Sequence, residues 1–224
     1  MPSPFAVPFR IKLHRLHEVL QVAMGWTNSH LYEFRIRDVG FGLPDQDWGD
    51  GLLDARKTSL LAAIEDIGAK SFKYLYDFGD GWTHSIKIER TFPVISLAEP
   101  MLLEATGRCP PEDIGGPWGY QEFREALADP AHERHAEFVE WWGGEDYDPD
   151  QANFAELNKA VAKWARKSRR KSESLPAAVL ARCLLPVRRH GRRLRCRQAF
   201  ARVSIGTEPL HAETHVEKSR RTVH

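Results

Sequence analysis

"YLYDFGDGWTHSIKIER", residues 74–90, decides the fold: four aromatic side chains, two aspartates, two glycines and a histidine flank one tight loop. The alternation on either side of the glycines is that of two strands, so the stretch reads as a β-hairpin. Two loop lengths compete. A two-residue Asp80-Gly81 turn sets Phe78 against Thr83 and Tyr76 against Ser85, aromatics facing polar residues along the ladder. A three-residue Gly79-Asp80-Gly81 loop instead pairs Phe78 with Trp82, Tyr76 with His84, Tyr74 with Ile86 and Phe72 with Ile88. It also offers a glycine for the left-handed position that such loops need. This register gathers the aromatics on one face and is the expected one. Leu75 and the Lys73/Lys87 pair then fall on the other face, which is expected to be partly covered as well.

Upstream, "IKLHRLHEVLQVAMGW" places Leu13, Leu16, Leu20, Ala23 and Met24 at helical spacing, with Gly25 suited to end the helix. "HLYEFRIRD" alternates as a half-buried strand. Residues 39–57 are rich in glycine and proline and read as a loop or ragged hairpin, and "TSLLAAIEDIG" as a short helix closed by Gly68. Downstream, "CPPEDIGGPWGY" is a loop leading to a helix at "YQEFREALADP". "AHERHAEFVEWWGG" is a further helix. "DYDPDQANFAELNKAVAKW" is the last, with Asp148 expected as its N-cap.

The near-neutral charge of the 224-residue chain hides a division. Residues 1–162 carry 15 Lys or Arg against 27 Asp or Glu, whereas residues 163–224 carry 17 against 4. A domain over 1–166 is therefore expected, followed by a basic tail over 167–224 without apolar period, disordered or poorly packed and dispensable for folding. The tail's Arg, Cys, Leu and Pro bias would also suit a GC-rich frame translated out of register. Cys109, Cys183 and Cys196 form no Cys-x-x-Cys pair, which argues against a disulfide framework or a structural zinc site. No apolar run approaches the length of a membrane span, and a cytoplasmic protein is expected.

Four segments in this order, "LHEVLQVAMGWTNSHLYEF", "YLYDFGDGWTHSIKIE", "CPPEDIGGPWGYQEF" and "YDPDQANFAELN", give the chain a resemblance over roughly residues 7–165. It resembles the plasmid pRiA4b ORF-three-like family, some of whose members are labelled passenger resolvases of insertion elements. The resemblance implies an α+β fold, a mainly antiparallel sheet with helices packed on it, and brings no established activity. The family usually has a strand with a Trp-Arg-Arg-like end before its "VP" segment. Here "MPSPFA" stands in that place, so the first family strand is expected to be missing and the sheet to lack an edge.

Short motifs within the domain dissolve on inspection. Asp77-Phe78-Gly79 lacks every partner of a kinase metal triplet. His132 and His135 lack the i, i+4 spacing of a zinc helix. The acids from Asp146 to Asp150 are followed by Gln151 and Leu157 where a calcium loop needs glycine and glutamate. What remains is an aromatic and acidic set shared by the hairpin and the "CPPEDIGG" loop. Asp77, Asp80, Trp82, His84, Glu112, Asp113 and Tyr120 are the ligand-site candidates, with Asp77, His84, Glu112 and Asp113 as possible metal ligands. Three functions follow: a non-enzymatic module binding a protein or small ligand, a metal-dependent hydrolase, or a DNA-binding accessory of a mobile element. Any nucleic-acid contact is expected from the basic tail alone, without sequence preference. The sequence assigns no cofactor, catalytic residue or oligomeric state.

Overall fold

The computed structural model describes residues 3–44, 51–93, 99–173 and 199–207. The hairpin forms, from β5 (Ser71–Tyr76) and β6 (Trp82–Pro93), but its register is two residues away from the expected one. Tyr76 pairs with Trp82, Tyr74 with His84 and Phe72 with Ile86. The loop is therefore five residues long, and Phe78, expected in the ladder, is 46% exposed. The physical reason is Asp77. Its Oδ1 accepts hydrogen bonds from Gly79 N (3.0 Å) and Asp80 N (3.3 Å), while its carbonyl accepts one from Gly81 N (2.6 Å). This local turn ends the strand before Phe78. A shift of two keeps the faces, so Phe72, Tyr74, Tyr76, Trp82, His84 and Ile86 remain buried together as expected.

Among the described residues eight strands make one sheet, in the order β4-β3-β2-β5-β6-β8-β1-β7. They are β1 (Ser3–Pro8), β2 (Tyr32–Ile36), β3 (Val39–Gly42), β4 (Leu53–Asp54), β5, β6, β7 (Met101–Leu102) and β8 (Ala199–Thr207). Every neighbouring pair is antiparallel except the short β3/β4 pair. Five helices accompany the sheet among the described residues: α1 (Leu13–Met24), α2 (Leu60–Ile67), α3 (Gly116–Ala128), α4 (His135–Trp142) and α5 (Phe154–Glu173). The fold is thus α+β, and no described helix is long and apolar enough to cross a membrane.

The helix α1 buries Leu13, Leu16, Val19 and Leu20 in one core with Phe34, Tyr74 and Phe123. On its outer side α5 lies against it, the Arg15 guanidinium standing 4.4 Å above the Trp164 ring. The last helix does not begin at Asp148. That side chain accepts from Asp150 N (2.9 Å), and the Pro149 carbonyl accepts from Arg108 N (2.7 Å), so the segment is tied to the 108–115 loop and α5 starts later, at Phe154.

The expected boundary between domain and tail is corrected in two places. The helix α5 runs past residue 166 to Glu173, and residues 199–207 form β8 at an inner position of the sheet. Phe200, Ala201, Val203 and Ile205 of β8 are at most 5% exposed. Ala201, Val203 and Ile205 alternate onto one buried face of β8 while Arg202 and Ser204 stay partly exposed on the other, a short alternation lost among the arginines around it. Most of the remaining tail, 174–198 and 208–224, lies outside the described residues.

Candidate functional site

Three loops meet at one end of the sheet: residues 26–30 after α1, residues 77–81 of the hairpin, and residues 108–115 before α3. The first is anchored from within the core. The His17 Nε2 lies 2.5 Å from Asn28 Oδ1 and donates to it, because an amide oxygen only accepts; Nδ1 then accepts from Tyr74 OH (2.7 Å). Gln21 completes the network, donating to Tyr74 OH (2.8 Å) and accepting from Asn28 N (3.1 Å). Burial holds the His17 pKa down to about 4, against the opposing bond to Asn28 and with a small further lowering from His14. The imidazole is thus a neutral strut.

Glu112 fastens the third loop to the other two. One oxygen accepts from Tyr76 OH (2.6 Å), and the other from Thr27 N and Thr27 Oγ1 (both 2.6 Å). Tyr76 OH in turn accepts from Ser29 N and His30 N, at 3.0 and 3.3 Å, and burial, then the bond to Glu112, raises its pKa. Trp26 Nε1 donates to Pro110 O (2.8 Å). Asp80 makes the remaining joint, its Oδ2 accepting from Gly115 N (3.2 Å). The backbones approach so closely there that a Cβ on Gly116 would stand 2.2 Å from Asp80 O.

Inside this frame lie His30, Asp77 and Asp113. His30 Nε2 is 2.9 Å from Asp113 Oδ1 and 3.6 Å from Asp77 Oδ2. One ligand atom from each residue lies within 4.8 Å of the other two. Asp77 is 9% exposed, whereas the Asp113 side chain is 69% exposed, so the group opens to solvent on one side. Among the described residues four non-glycine positions have positive φ, and three of them, Asn28, Asp77 and Asp113, belong to these loops. Such backbone is uncommon and persists where surrounding bonds over-determine it.

Of the candidates read from the sequence, Asp77, Asp80, Glu112 and Asp113 come together here. His84 does not: it is 3% exposed on β6, 5.6 Å from the Trp26 ring and 5.9 Å from that of Tyr74. It lines a separate small cleft with Phe5, Cys109 and Ile205. The Cys109 thiol beside it is pushed up to about 12 by burial and stays protonated. Trp82 is buried against Trp26 and, edge-on, Tyr120, whose hydroxyl accepts from Tyr147 OH (3.0 Å). Of the four expected metal ligands, Asp77 and Asp113 stand beside His30, whereas His84 lies elsewhere and Glu112 fastens the loops. His30 was missed because its partners stand 47 and 83 positions away. Its only local signal was a histidine in the polar "TNSH" between helix and strand.

The model of the family described as plasmid pRiA4b ORF-3-like protein matches residues 4–156. An uncharacterized protein, y4hQ, of Sinorhizobium fredii (strain NBRC 101917 / NGR234) is 76% identical over 170 residues, which cover 74% of this chain and 88% of that protein. Among solved structures, a protein of unknown function, MM3350 from Methanosarcina mazei Go1, is similar with a TM-score of 0.60 at 27% identity. That likeness covers 69% of this chain and 96% of the other.

Proposed function

The chain belongs to the plasmid pRiA4b ORF-3-like family, and on that premise we propose that it is a non-enzymatic binding module that takes a divalent cation at His30, Asp77 and Asp113. The observation that carries this reading is the convergence of one imidazole nitrogen and two carboxylate oxygens, from three separate loops, to within 4.8 Å of one another. One nitrogen and two hard oxygens suit a borderline ion such as zinc or manganese. Exposed Leu31, Phe78 and Trp118 stand on or next to the same loops, so a larger ligand held through the cation would meet apolar surface around it.

Binding is favoured over hydrolysis because the other acids are already engaged. Both oxygens of Glu112 and one of Asp80 hold loops together, and the partly buried Cys109 thiol is protonated. A hydrolase drawing its hydroxide from the bound cation would still need a carboxylate free to act as base beside it. Sequence-independent contact with nucleic acid would fall to the basic residues of 163–224, since 1–162 is strongly acidic.

The test is calorimetric titration of the full chain with Zn²⁺ and Mn²⁺. His30→Gln and Asp113→Asn should each weaken binding at least tenfold while shifting Tm by less than about 2 °C, because neither side chain is buried. Unchanged affinity in both variants would remove the cation from this site.

A further inference from the structure

The strand β8 holds an unusual position. It runs antiparallel to β6, with Ile86 opposite Ile205 and Ile88 opposite Val203, and antiparallel to β1, with Phe5 opposite Val203 and Val7 opposite Ala201. The strands β6 and β1 are therefore parallel to each other and two strand spacings apart, roughly 10 Å, too far to bond directly. Between them is a slot with a row of backbone donors and acceptors on each wall. Every other described strand comes from residues 3–102, whereas β8 comes from 199–207, beyond the 4–156 stretch that matches the family.

The connection matters as much as the slot. The helix α5 ends at Glu173 and β8 begins at Ala199, so 25 residues separate them. Extended, such a segment reaches roughly 80–90 Å, while a domain of about 170 residues is roughly 40 Å across. A second copy's slot therefore lies within reach of β8.

We infer that the β6–β1 slot is a strand-acceptor site, and that the β8 of a second copy fills it in the same antiparallel register, giving an exchanged, two-fold dimer. The contacts made by β8 are the same in its own chain and in the partner. The balance is then set by the effective concentration of the strand held on its own chain against the concentration of the protein. Exchange is expected when folding takes place at high protein concentration, and it is slow to reverse because an inner strand must leave the sheet.

The register supplies the experiment. Lys87 and Ser204 face each other across β6 and β8, on the more exposed side of the sheet. In the full chain carrying Cys183→Ser and Cys196→Ser, Lys87→Cys with Ser204→Cys on one molecule should oxidise to a monomeric disulfide. Chains carrying one of these substitutions each, unfolded together and refolded as an equimolar mixture at several hundred micromolar, should give a covalent heterodimer. Its yield should exceed severalfold that of a control in which Glu125→Cys on α3 replaces Lys87→Cys. A heterodimer yield no higher than the control's would overturn exchange. A doubly substituted chain that forms no internal disulfide would overturn the slot itself. Neither result bears on the cation site, which lies on other loops.

Discussion

His17 lies inside α1, and through it stability answers to pH. His17 is 1% exposed and its pKa is lowered to about 4 by burial. The unfolded chain takes that proton near pH 6.5 and the folded chain only near 4, so below 6.5 the unfolded state binds more protons. Stability is then expected to be flat above pH 6.5 and to fall between 6.5 and about 4, by at most about 3 kcal/mol from this residue. Urea unfolding at several pH values checks it: His17→Gln should lose this part of the slope whatever its effect at neutral pH. Little of this was legible in the sequence. The apolar period of α1 puts His17 near the core, but that it is a strut under Asn28 depends on Tyr74 and Gln21 meeting it there. Asp77 stood among the candidate ligands, although aspartate is disfavoured within strands. Its purpose emerged only as a strand-ending turn with a second oxygen left facing His30.

At the scale of the element, periodicity located the helices and strands well, because an amphipathic face is a local property. Register is less local. The expected three-residue loop rested on pairing all four aromatics, and two hydrogen bonds to the Asp77 side chain outweighed Phe78's place in the ladder. Two glycines where the loops meet differ in kind. Gly81 has a φ of +70°, and a Cβ there would meet nothing within 4 Å, so Gly81→Ala should cost roughly 1–2 kcal/mol from backbone strain alone. Gly116 combines the same φ with a Cβ position 2.2 Å from Asp80 O. Gly116→Ala must push the 108–115 loop off the hairpin, and should cost clearly more than Gly81→Ala and weaken cation binding as well. Denaturant midpoints and titration of the two variants decide it; equal losses would mean that the two loops do not dock as described.

For the whole molecule, the sequence revealed the α+β class and the acidic front, but it read the basic end as tail throughout. That reading followed charge, and charge is a poor guide to an inner strand, whose side chains need only be apolar over a few positions. Removing everything after Glu173 takes away Phe200, Ala201, Val203 and Ile205 and opens the slot between β6 and β1. The loss of burial is on the order of 5 kcal/mol, comparable with the whole stability of a domain. The shortened chain should be insoluble or melt far below the full one, and a thermal scan comparing the two checks it. The late place of β8 in the chain has a consequence for biosynthesis. Leu102, the end of the last preceding strand, leaves the ribosome 97 residues before Ala199. At about 5–20 residues per second, that is roughly 5–20 s during which the nascent sheet stands split. Through that interval the growing chain offers an open pair of strand edges to chaperones, and to neighbouring chains on the same polysome.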